Sequence, residues 1–447
     1  MINHYKSKIN ALLILLISLV LFINDQFIPN ELNSVNHCKT ISAKKCFYYS
    51  ASLLPNITDK FRKDIKDQLN YNSQQKLGKV ISLGGNLDQL KYFFNALKNS
   101  KNKKVRIAHY GDSLIMGDLI TETLREKFQE KFSGMGVGYI SIVPDDFRMR
   151  RTVSQSSSDD WDYASFMTRN AEKLPYGISG AVAVPKNGSW VKYETTQAFK
   201  SASSFDIFKL FYNNADKSST VQIIFDNGTI KKLNLESGND IQELILDVKD
   251  SKKIELQFLN GKKPYFYGVS LESSKGIYID NFSMRGNSGV VLLEIDSKII
   301  QDCNKYLDYS LIIFNYGANV SSPNKGIFAL YENKMVSVIE EFKKIFPNTS
   351  FLLVSVADKT IKRANQFITD PDVPLLLESQ KRIAERTGIA FWNLWEAMGG
   401  NNSMNTWVNA APPQALKDYA HFTNEGAERV GELFFESIID AFQKYSK

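Results

Sequence analysis

The sequence predicts an α/β protein with about five parallel strands, an all-β insertion and an apolar N-terminal segment. Two observations carry the prediction for the body. Short apolar strands alternate with amphipathic helices on either side of the middle of the chain, which is typical of a parallel sheet with helices on both faces. Between those two stretches, strand-like runs dominate and Asn-Gly pairs recur, which indicates antiparallel strands.

The composition is that of an ordinary globular chain. Of the 447 residues, 43% are hydrophobic and 23% are charged, which excludes wholesale disorder, collagen and coiled coil. The 55 Lys and Arg residues against 48 Asp and Glu residues give a net charge of +7 at pH 7. Lys and Arg never dominate a long stretch, so nucleic acid is not expected as a partner. A weakly basic surface equally suits the polyanionic surroundings of a cell wall or membrane.

The N-terminal segment is the first element. Lys6 and Lys8 precede an apolar run from Ile9 to Ile23, the pattern of a secretory signal or a short membrane anchor. No small-residue cleavage site follows, so we expect an uncleaved anchor over residues 1–24, with a cleaved signal peptide as the alternative. The inner membrane is therefore an expected partner, and Lys6 and Lys8 are expected to stay on its cytoplasmic side. The body is expected in the cell envelope, on its periplasmic or extracellular face.

Residues 25–104 are polar and are predicted to form a stalk. Its last part, from Leu87 to Leu97, has helical spacing of apolar residues and is expected to pack on the body. Cys38 and Cys46 lie close enough to pair in an oxidising compartment, and a disulfide and two free thiols remain equal alternatives. The chain contains neither C-x-x-C nor H-E-x-x-H, so no metal site is expected.

Two separated stretches, residues 105–144 and 276–447, make up the predicted α/β body. The strands expected from their apolar runs are Val105–His109, Ile277–Phe282, Leu311–Asn315, Phe351–Val356 and Ile389–Trp392. The expected helices are Gly117–Phe132, Leu330–Phe346, Leu375–Thr387 and Asn424–Tyr445. This alternation predicts one parallel sheet with helices on both faces.

Residues 145–275 are predicted to form an antiparallel β-sandwich inserted within that body. Their strand-like runs include Phe205–Tyr212, Val221–Phe225, Ile254–Phe258 and Tyr265–Leu271. The pairs Asn187-Gly188, Asn227-Gly228 and Asn260-Gly261 lie between such runs. Because Asn-Gly supplies the positive φ angles that a tight turn needs, the pairs predict hairpins.

Candidate catalytic residues follow a strand or precede the last helix. Ser113 follows the first strand of the body, where open α/β sheets place ligands. Its amide would point at an incoming oxyanion beside its own hydroxyl, and an Asp-Ser cap on the next helix is the alternative. Of the four histidines, only His421 has a carboxylate, that of Asp418, at turn-like spacing. That carboxylate would fix the tautomer of the imidazole.

Two turns rich in glycine and asparagine would supply further oxyanion donors. Asn319 ends the run NYGAN after a predicted strand, where its side-chain amide would donate to the oxyanion. Gly286 lies in the run RGN, after another predicted strand, and its backbone amide would be the third donor. Each run has the alternative of an ordinary turn.

In their order and spacing, these blocks resemble the SGNH (GDSL) hydrolase family. The resemblance covers Lys104–Ile140 and Ile277–Lys447, and it implies a three-layer α/β/α sandwich and a serine hydrolase that needs no cofactor. The resemblance also implies roles for the residues of this chain that match the family's motifs. The nucleophile is Ser113, the base is His421, the residue that orients the base is Asp418, and the oxyanion hole comprises Ser113, Gly286 and Asn319.

A narrower resemblance is to the branch of that family that contains peptidoglycan O-acetylesterases. It is carried by Phe391, Trp392, Ala397–Gly400, Ser403, Met404 and Trp407. Members of that branch have a carbohydrate-binding-module-like β-sandwich where this chain has its insertion. The resemblance implies O-acetylated polysaccharide, most directly peptidoglycan, as the substrate. Asp112 and Trp407 are predicted to contact it, with core packing as an equal alternative for Trp407.

The expected reaction is removal of O-acetyl groups through an acyl-enzyme on Ser113. A polysaccharide O-acetyltransferase with the same residues is the nearest alternative, because the sequence does not show whether water or a sugar hydroxyl takes the acetyl group. A non-catalytic glycan-binding protein of the cell envelope is the alternative from a different class.

Overall fold

The computed structural model describes residues 77–143, 147–320 and 326–447. The predicted anchor, most of the predicted stalk and the pair Cys38 and Cys46 lie outside these residues. Among the helices that are described, none is both long enough and apolar enough to cross a membrane.

The described part of the chain contains eight α-helices. They are α1 (Lys91–Lys98), α2 (Thr121–Phe132), α3 (Ser297–Leu307), α4 (Gly326–Ile345), α5 (Asp372–Thr387), α6 (Leu394–Met398), α7 (Ser403–Val408) and α8 (Asn424–Tyr445).

The same residues form nineteen strands. The first ten are β1 (Gly84–Gly85), β2 (Lys104–Gly111), β3 (Gly138–Ser141), β4 (Val153–Ser157), β5 (Asp162–Ser165), β6 (Ala181–Val184), β7 (Trp190–Thr195), β8 (Phe205–Asn213), β9 (Thr220–Phe225) and β10 (Ile230–Asn234). The others are β11 (Gln242–Ser251), β12 (Lys253–Asn260), β13 (Tyr265–Glu272), β14 (Gly276–Ser283), β15 (Tyr309–Asn315), β16 (Ser350–Val354), β17 (Thr360–Arg363), β18 (Gln366–Thr369) and β19 (Ala390–Trp392).

The central sheet has the strand order β1-β19-β16-β15-β2-β14. Its last five strands are parallel, as the sequence predicts, and β1 adds an antiparallel edge. In the register of this sheet, Gly111 at the end of β2 lies opposite Ser283 of β14 and Asn315 of β15. Three strands therefore end together, and the turns that follow them meet at one edge of the sheet.

Helices cover both faces of the central sheet. In β2, Val105 and Ile107 pack in one core with α1, α2 and α8, whereas Ala108 and Tyr110 pack in another core with α3, α4 and α5. Side chains alternate across a strand, so β2 is buried on both of its faces. Helix α1 lies in the segment predicted to pack on the body, and its Phe93, Phe94 and Leu97 are buried in the core that it shares with β2.

The chain between α2 and β14 forms two antiparallel sheets. One has the order β10-β9-β12-β7-β4, and the other has the order β11-β8-β13-β6-β5 with β3 paired to β13. Apolar side chains of both sheets share a single core. Strand β3 precedes residue 145, so the β structure begins earlier in the chain than the predicted boundary.

Only one of the three Asn-Gly pairs forms the expected hairpin. Asn227-Gly228 joins β9 to its neighbour β10, with Gly228 at φ +80°. The other two hairpin predictions are wrong, because Asn187-Gly188 and Asn260-Gly261 connect strands that lie in different sheets. Gly188 and Gly261 still have positive φ angles, so the local turn was predicted correctly and the strand partner was not.

Candidate active site

The turn after β2 carries Ser113 at the edge where the parallel strands end. Asp112 caps the short 3₁₀ helix Ser113–Asp118, because its Oδ1 accepts a hydrogen bond of 3.0 Å from the backbone N–H of Leu114. The cap that the sequence offered as an alternative is thus present, but it is made by the Asp112 side chain. The Ser113 hydroxyl therefore keeps its hydrogen-bonding capacity for other partners.

Asp112 also connects two turns of the site. Its Oδ2 accepts hydrogen bonds of 3.1 Å from the N–H groups of Gly317 and Ala318, in the turn after β15. The side chain is fully buried. Burial raises the pKa of Asp112 to about 6, although its three backbone hydrogen bonds act in the opposite direction.

Ser113, His421 and Asp418 form a continuous hydrogen-bonded chain. Ser113 Oγ lies 2.8 Å from His421 Nε2, and His421 Nδ1 lies 2.8 Å from Asp418 Oδ2. With its Nδ1 proton donated to the carboxylate, the imidazole presents an unprotonated Nε2 to the serine hydroxyl. This is the arrangement in which a histidine activates a serine as a nucleophile.

The Asp418 carboxylate is held in a tight turn of its own chain. Its Oδ1 accepts hydrogen bonds from the backbone N–H groups of Ala420 and His421, at 3.0 and 3.1 Å. Partial burial would raise the pKa of Asp418, but the hydrogen bonds from the His421 ring and from these N–H groups lower it below its usual value. The carboxylate is therefore ionised when it meets the imidazole.

The turn after β14 brings Gly286 to the same edge. The N–H of Met284 donates to the carbonyl of Gly111 at 2.8 Å, which ties this turn to the turn of the nucleophile. Gly286 has φ +73°, a conformation that other residues adopt only with strain. In the described structure, neither the Ser113 N–H nor the Gly286 N–H donates to a protein acceptor.

Asn319 reaches the Gly286 turn from the turn after β15. Its Nδ2 donates a hydrogen bond of 3.0 Å to the carbonyl of Asn287. An amide nitrogen carries two protons, so one proton is left to donate elsewhere. The structure thus gathers the three oxyanion donors that the sequence predicts on the edge that carries the nucleophile. Their catalytic roles stay predictions.

Two predicted substrate contacts are wrong. Trp407 is fully buried, its Nε1 donates to the carbonyl of Met398 at 3.0 Å, and its ring centroid lies 5.4 Å from that of Phe422. It is a core residue, which was the alternative expectation. Asp112 is also fully buried, and both of its carboxylate oxygens accept hydrogen bonds from backbone amides, so it positions turns and does not face substrate.

A buried polar network lies next to the turn that carries Ser113. Asn281 Nδ2 donates to the carbonyl of Ile115 at 2.8 Å and to Thr121 Oγ1 at 2.7 Å. The Thr121 hydroxyl lies 2.9 Å from Nδ1 of His109, which is fully buried. Burial lowers the pKa of His109 to about 4, so this histidine is neutral near pH 7 and contributes to the support of the turn.

The residues that line the cleft beside Ser113 and His421 were not predicted from the sequence. Three of them, Leu114, Ala318 and Ala420, are sequence neighbours of predicted site residues. The opposite wall comes from the loop after β16 and the start of α5, and it includes Val356, Lys359, Asp370, Asp372 and Leu376. No motif marks this second group, because only the fold brings it to the site. No group of three or more His, Cys, Asp and Glu residues in the described ranges is arranged to hold a metal ion.

Fold and geometry together define a class: an α/β sandwich with a Ser-His-Asp chain at the carboxyl edge of its parallel sheet. No protein-family model matches the sequence, and no curated protein is significantly similar to it. Among solved structures, the chain is similar to a peptidoglycan O-acetylesterase, with a TM-score of 0.67 and 19% identity over 80% of this chain and 98% of that chain. The predicted resemblance to SGNH hydrolases is thereby confirmed as a likeness of fold.

Two further solved structures overlap more loosely. A family two carbohydrate esterase from Cellvibrio japonicus has a TM-score of 0.28 at 8% identity, over 65% of this chain and 98% of that chain. A family 2 carbohydrate esterase with a carbohydrate-binding domain from Corynascus thermopiles (Myceliophthora fergusii) has a TM-score of 0.29 at 12% identity, over 63% and 99%.

Proposed function

We propose that the chain is a serine esterase that removes O-acetyl groups from cell-wall polysaccharide, with peptidoglycan as the substrate. The observation that carries the proposal is the hydrogen-bonded chain of Ser113, His421 and Asp418 beside the free amides of Ser113 and Gly286. The fold shared with a peptidoglycan O-acetylesterase supports the choice of substrate.

The first step of the proposed mechanism is acylation of the enzyme. His421 Nε2 takes the proton of the Ser113 hydroxyl as the oxygen attacks the acetyl carbonyl. The Asp418 carboxylate stabilises the imidazolium that forms. His421 then gives the proton to the leaving sugar hydroxyl, which leaves the acetyl group on Ser113.

The second step is deacylation. His421 removes a proton from a water molecule, which attacks the acetyl-serine and releases acetate. In both steps the negative charge on the carbonyl oxygen is held by the N–H groups of Ser113 and Gly286 and by the Asn319 amide. Donors that are already in place before the reaction cost no reorganisation when the charge develops.

The exposure of the site supports a polymeric substrate. The side chains of His421 and Asp418 are 38% and 48% exposed, so the base lies at the molecular surface. An acetyl ester on a glycan strand reaches such a nucleophile without the strand having to enter a closed pocket.

Acetate release from O-acetylated peptidoglycan tests the proposal. We expect release by the wild type, almost none by Ser113→Ala and wild-type rates for Ser237→Ala, which removes an exposed serine of the β insertion. A parallel reaction with an acetyl donor and unacetylated glycan distinguishes the alternatives. Ser113-dependent transfer without hydrolysis would establish the acetyltransferase. Absence of any Ser113-dependent activity, including on p-nitrophenyl acetate, together with binding to peptidoglycan sacculi, would favour the glycan-binding protein.

The proposed location is the cell envelope, with the body on the periplasmic or extracellular face and the run Ile9–Ile23 as an anchor. A substrate in the cell wall supports this location, because the wall lies outside the inner membrane. Cell fractionation and protease accessibility in spheroplasts test it. We expect the full-length chain in the membrane fraction, with its body digested from outside.

A further inference from the structure

We propose that the β17–β18 hairpin is a docking subsite for an acidic glycan strand, and this inference rests on the proposed function. The hairpin joins the candidate active site to a surface that presents one aromatic ring and two cations. In this proposal, the hairpin is the part of the molecule that selects a charged glycan over a neutral one.

The hairpin contacts the turn that carries Asp418 and His421. The N–H of Thr360, the first residue of β17, donates to the carbonyl of Tyr419 at 3.0 Å. The ring of Phe367 in β18 stacks on the ring of Tyr419, with centroids 4.5 Å apart and an angle of 15° between the planes. The hairpin therefore contacts Tyr419, which is two residues before His421 in the sequence.

Phe367 stays partly open to solvent, although one face of its ring stacks on Tyr419 and the Lys362 ammonium lies 6.0 Å from the ring centroid. Tyr419 packs against the core on one side and carries Phe367 on the other, and Phe367 is 41% exposed. Leu416, which is 45% exposed, lies on the other side of the same turn, where its N–H donates to the carbonyl of His421 at 2.8 Å. Large apolar side chains that are exposed to solvent beside a cleft are typical of a binding surface. The apolar face of a sugar ring fits a flat aromatic ring of this kind.

The charge of the hairpin indicates an anionic ligand. Lys362 and Arg363 are exposed at its tip, and among the described residues neither forms an ion pair with a carboxylate. Lys362 Nζ lies 6.0 Å from the centroid of the Phe367 ring. Two cations beside an aromatic ring suit a glycan whose sugars or attached groups carry carboxylates. Peptidoglycan has such groups, and acetylated xylan, a neutral chain, does not.

Binding to insoluble peptidoglycan tests the subsite without turnover. The full-length chain is prepared with Ser113→Ala, and co-sedimentation with peptidoglycan sacculi gives its Kd. We expect Phe367→Ala to raise the Kd about tenfold and Phe367→Trp to retain binding, because a stacking contact needs an aromatic ring. The matched control is Tyr445→Ala, at the far end of α8, about 33 Å from its first residue.

Tyr445 suits this comparison because its surroundings are similar to those of Phe367. It is 39% exposed, its ring lies 5.3 Å from that of Phe94, and Lys98 lies 4.8 Å above it. We expect Tyr445→Ala to bind sacculi as the parent does. Equal Kd values for Phe367→Ala and Tyr445→Ala would overturn the subsite.

The second measurement separates docking from positioning of the catalytic turn. With Ser113 intact, we expect Phe367→Ala to lower kcat/KM on O-acetylated peptidoglycan about tenfold more than on p-nitrophenyl acetate. Equal losses on both substrates would mean that Phe367 holds the turn in place, and the docking proposal would then fail. Since the Kd measurement needs no hydrolysis, the proposed function and the subsite fail separately.

The third measurement tests the charge. We expect Lys362→Gln with Arg363→Gln to weaken binding to sacculi at low salt and to flatten its salt dependence, because exposed charges are screened by salt. The kcat/KM of the double variant on p-nitrophenyl acetate, which carries no charge, is expected to equal that of the wild type. Unchanged binding of the double variant to sacculi at low salt would overturn the preference for an acidic strand.

Discussion

Asp112 and Gly317 are joined by a buried hydrogen bond of 3.1 Å, which ties the turn of the nucleophile to the turn of Asn319. The same carboxylate caps the 3₁₀ helix that begins at Ser113. One side chain therefore fixes the nucleophile and an oxyanion donor relative to each other. This explains why an aspartate directly before the serine is needed although it never faces solvent.

We predict that Asp112→Ala lowers kcat on p-nitrophenyl acetate by about 10²-fold, because it releases both turns and misplaces an oxyanion donor. The measurement is steady-state kinetics, with Asp159→Ala, which removes an exposed aspartate of the insertion, as the control. Equal kcat values for the two variants would show that the turns hold their positions without this carboxylate.

The raised pKa of Asp112 predicts a pH dependence of stability. The pKa of Asp112 is about 6 in the folded protein, against an ordinary value of 3.8 for an aspartate in the unfolded chain. Between these pH values the folded state therefore binds the proton more tightly than the unfolded state does. The contribution of Asp112 to the free energy of unfolding must then fall as pH rises from about 4 to about 6. We expect the stability of the wild type relative to Asp112→Ala to decrease over this range in urea titrations. If the stability of the wild type relative to Asp112→Ala increased with pH over this range, the pKa of Asp112 would not be raised by burial.

We predict that Asn319→Ala lowers kcat by about 10²–10³-fold, the usual cost of removing one oxyanion donor. KM is expected to change little, because the donor acts mainly on the charge that develops in the transition state. Asn319→Asp is expected to be no better, since a carboxylate donates no proton at neutral pH. Steady-state kinetics on p-nitrophenyl acetate decides this, with Asn401→Ala as the control at an exposed asparagine.

The parallel sheet was predictable because its strands are buried on both faces and are therefore rich in apolar residues, even though β2 and β14 also bury charged and polar side chains. Other elements gave too little local signal. Helices α6 and α7 have five and six residues, which is too short for a periodic pattern. The hairpin β17–β18 lacks an alternation of apolar residues and is stabilised by neighbours that are distant in sequence. Helix α3 was not predicted, although Ile300, Cys303 and Leu307 are spaced on one buried face.

The residues proposed to carry the chemistry were easier to predict from the sequence than the residues that surround them. Ser113, Gly286 and Asn319 follow strands that end in register, so their meeting depends on strand order, which the α/β pattern already indicates. The positions of Trp407 and Phe367 depend on packing between segments that are far apart in the chain. A tryptophan in a short helix and a phenylalanine in a hairpin give no local sign of which will be buried. The structure buries the tryptophan and exposes the phenylalanine.

The final prediction concerns the buried ion pair behind the nucleophile. Arg125 of α2 donates to both carboxylate oxygens of Asp118 at 2.7 and 2.9 Å, and it also donates to the carbonyl of Ile279 in β14. Burial would raise the pKa of Asp118, but the charge and hydrogen bonds of Arg125 lower it to about 2. The pair therefore joins α2, β14 and the end of the 3₁₀ helix that carries Ser113.

We predict that Arg125→Met lowers the free energy of unfolding by about 3–5 kcal/mol, because it leaves a buried carboxylate without its cation. Urea unfolding measures this loss, and Arg382→Met, at a half-exposed arginine on α5, is the control. Adding Asp118→Asn to Arg125→Met is expected to recover part of the stability, since the neutral amide needs no counter-charge. If the double variant loses the sum of the two single losses, the two side chains do not act as a pair, and the stability of this region has another source.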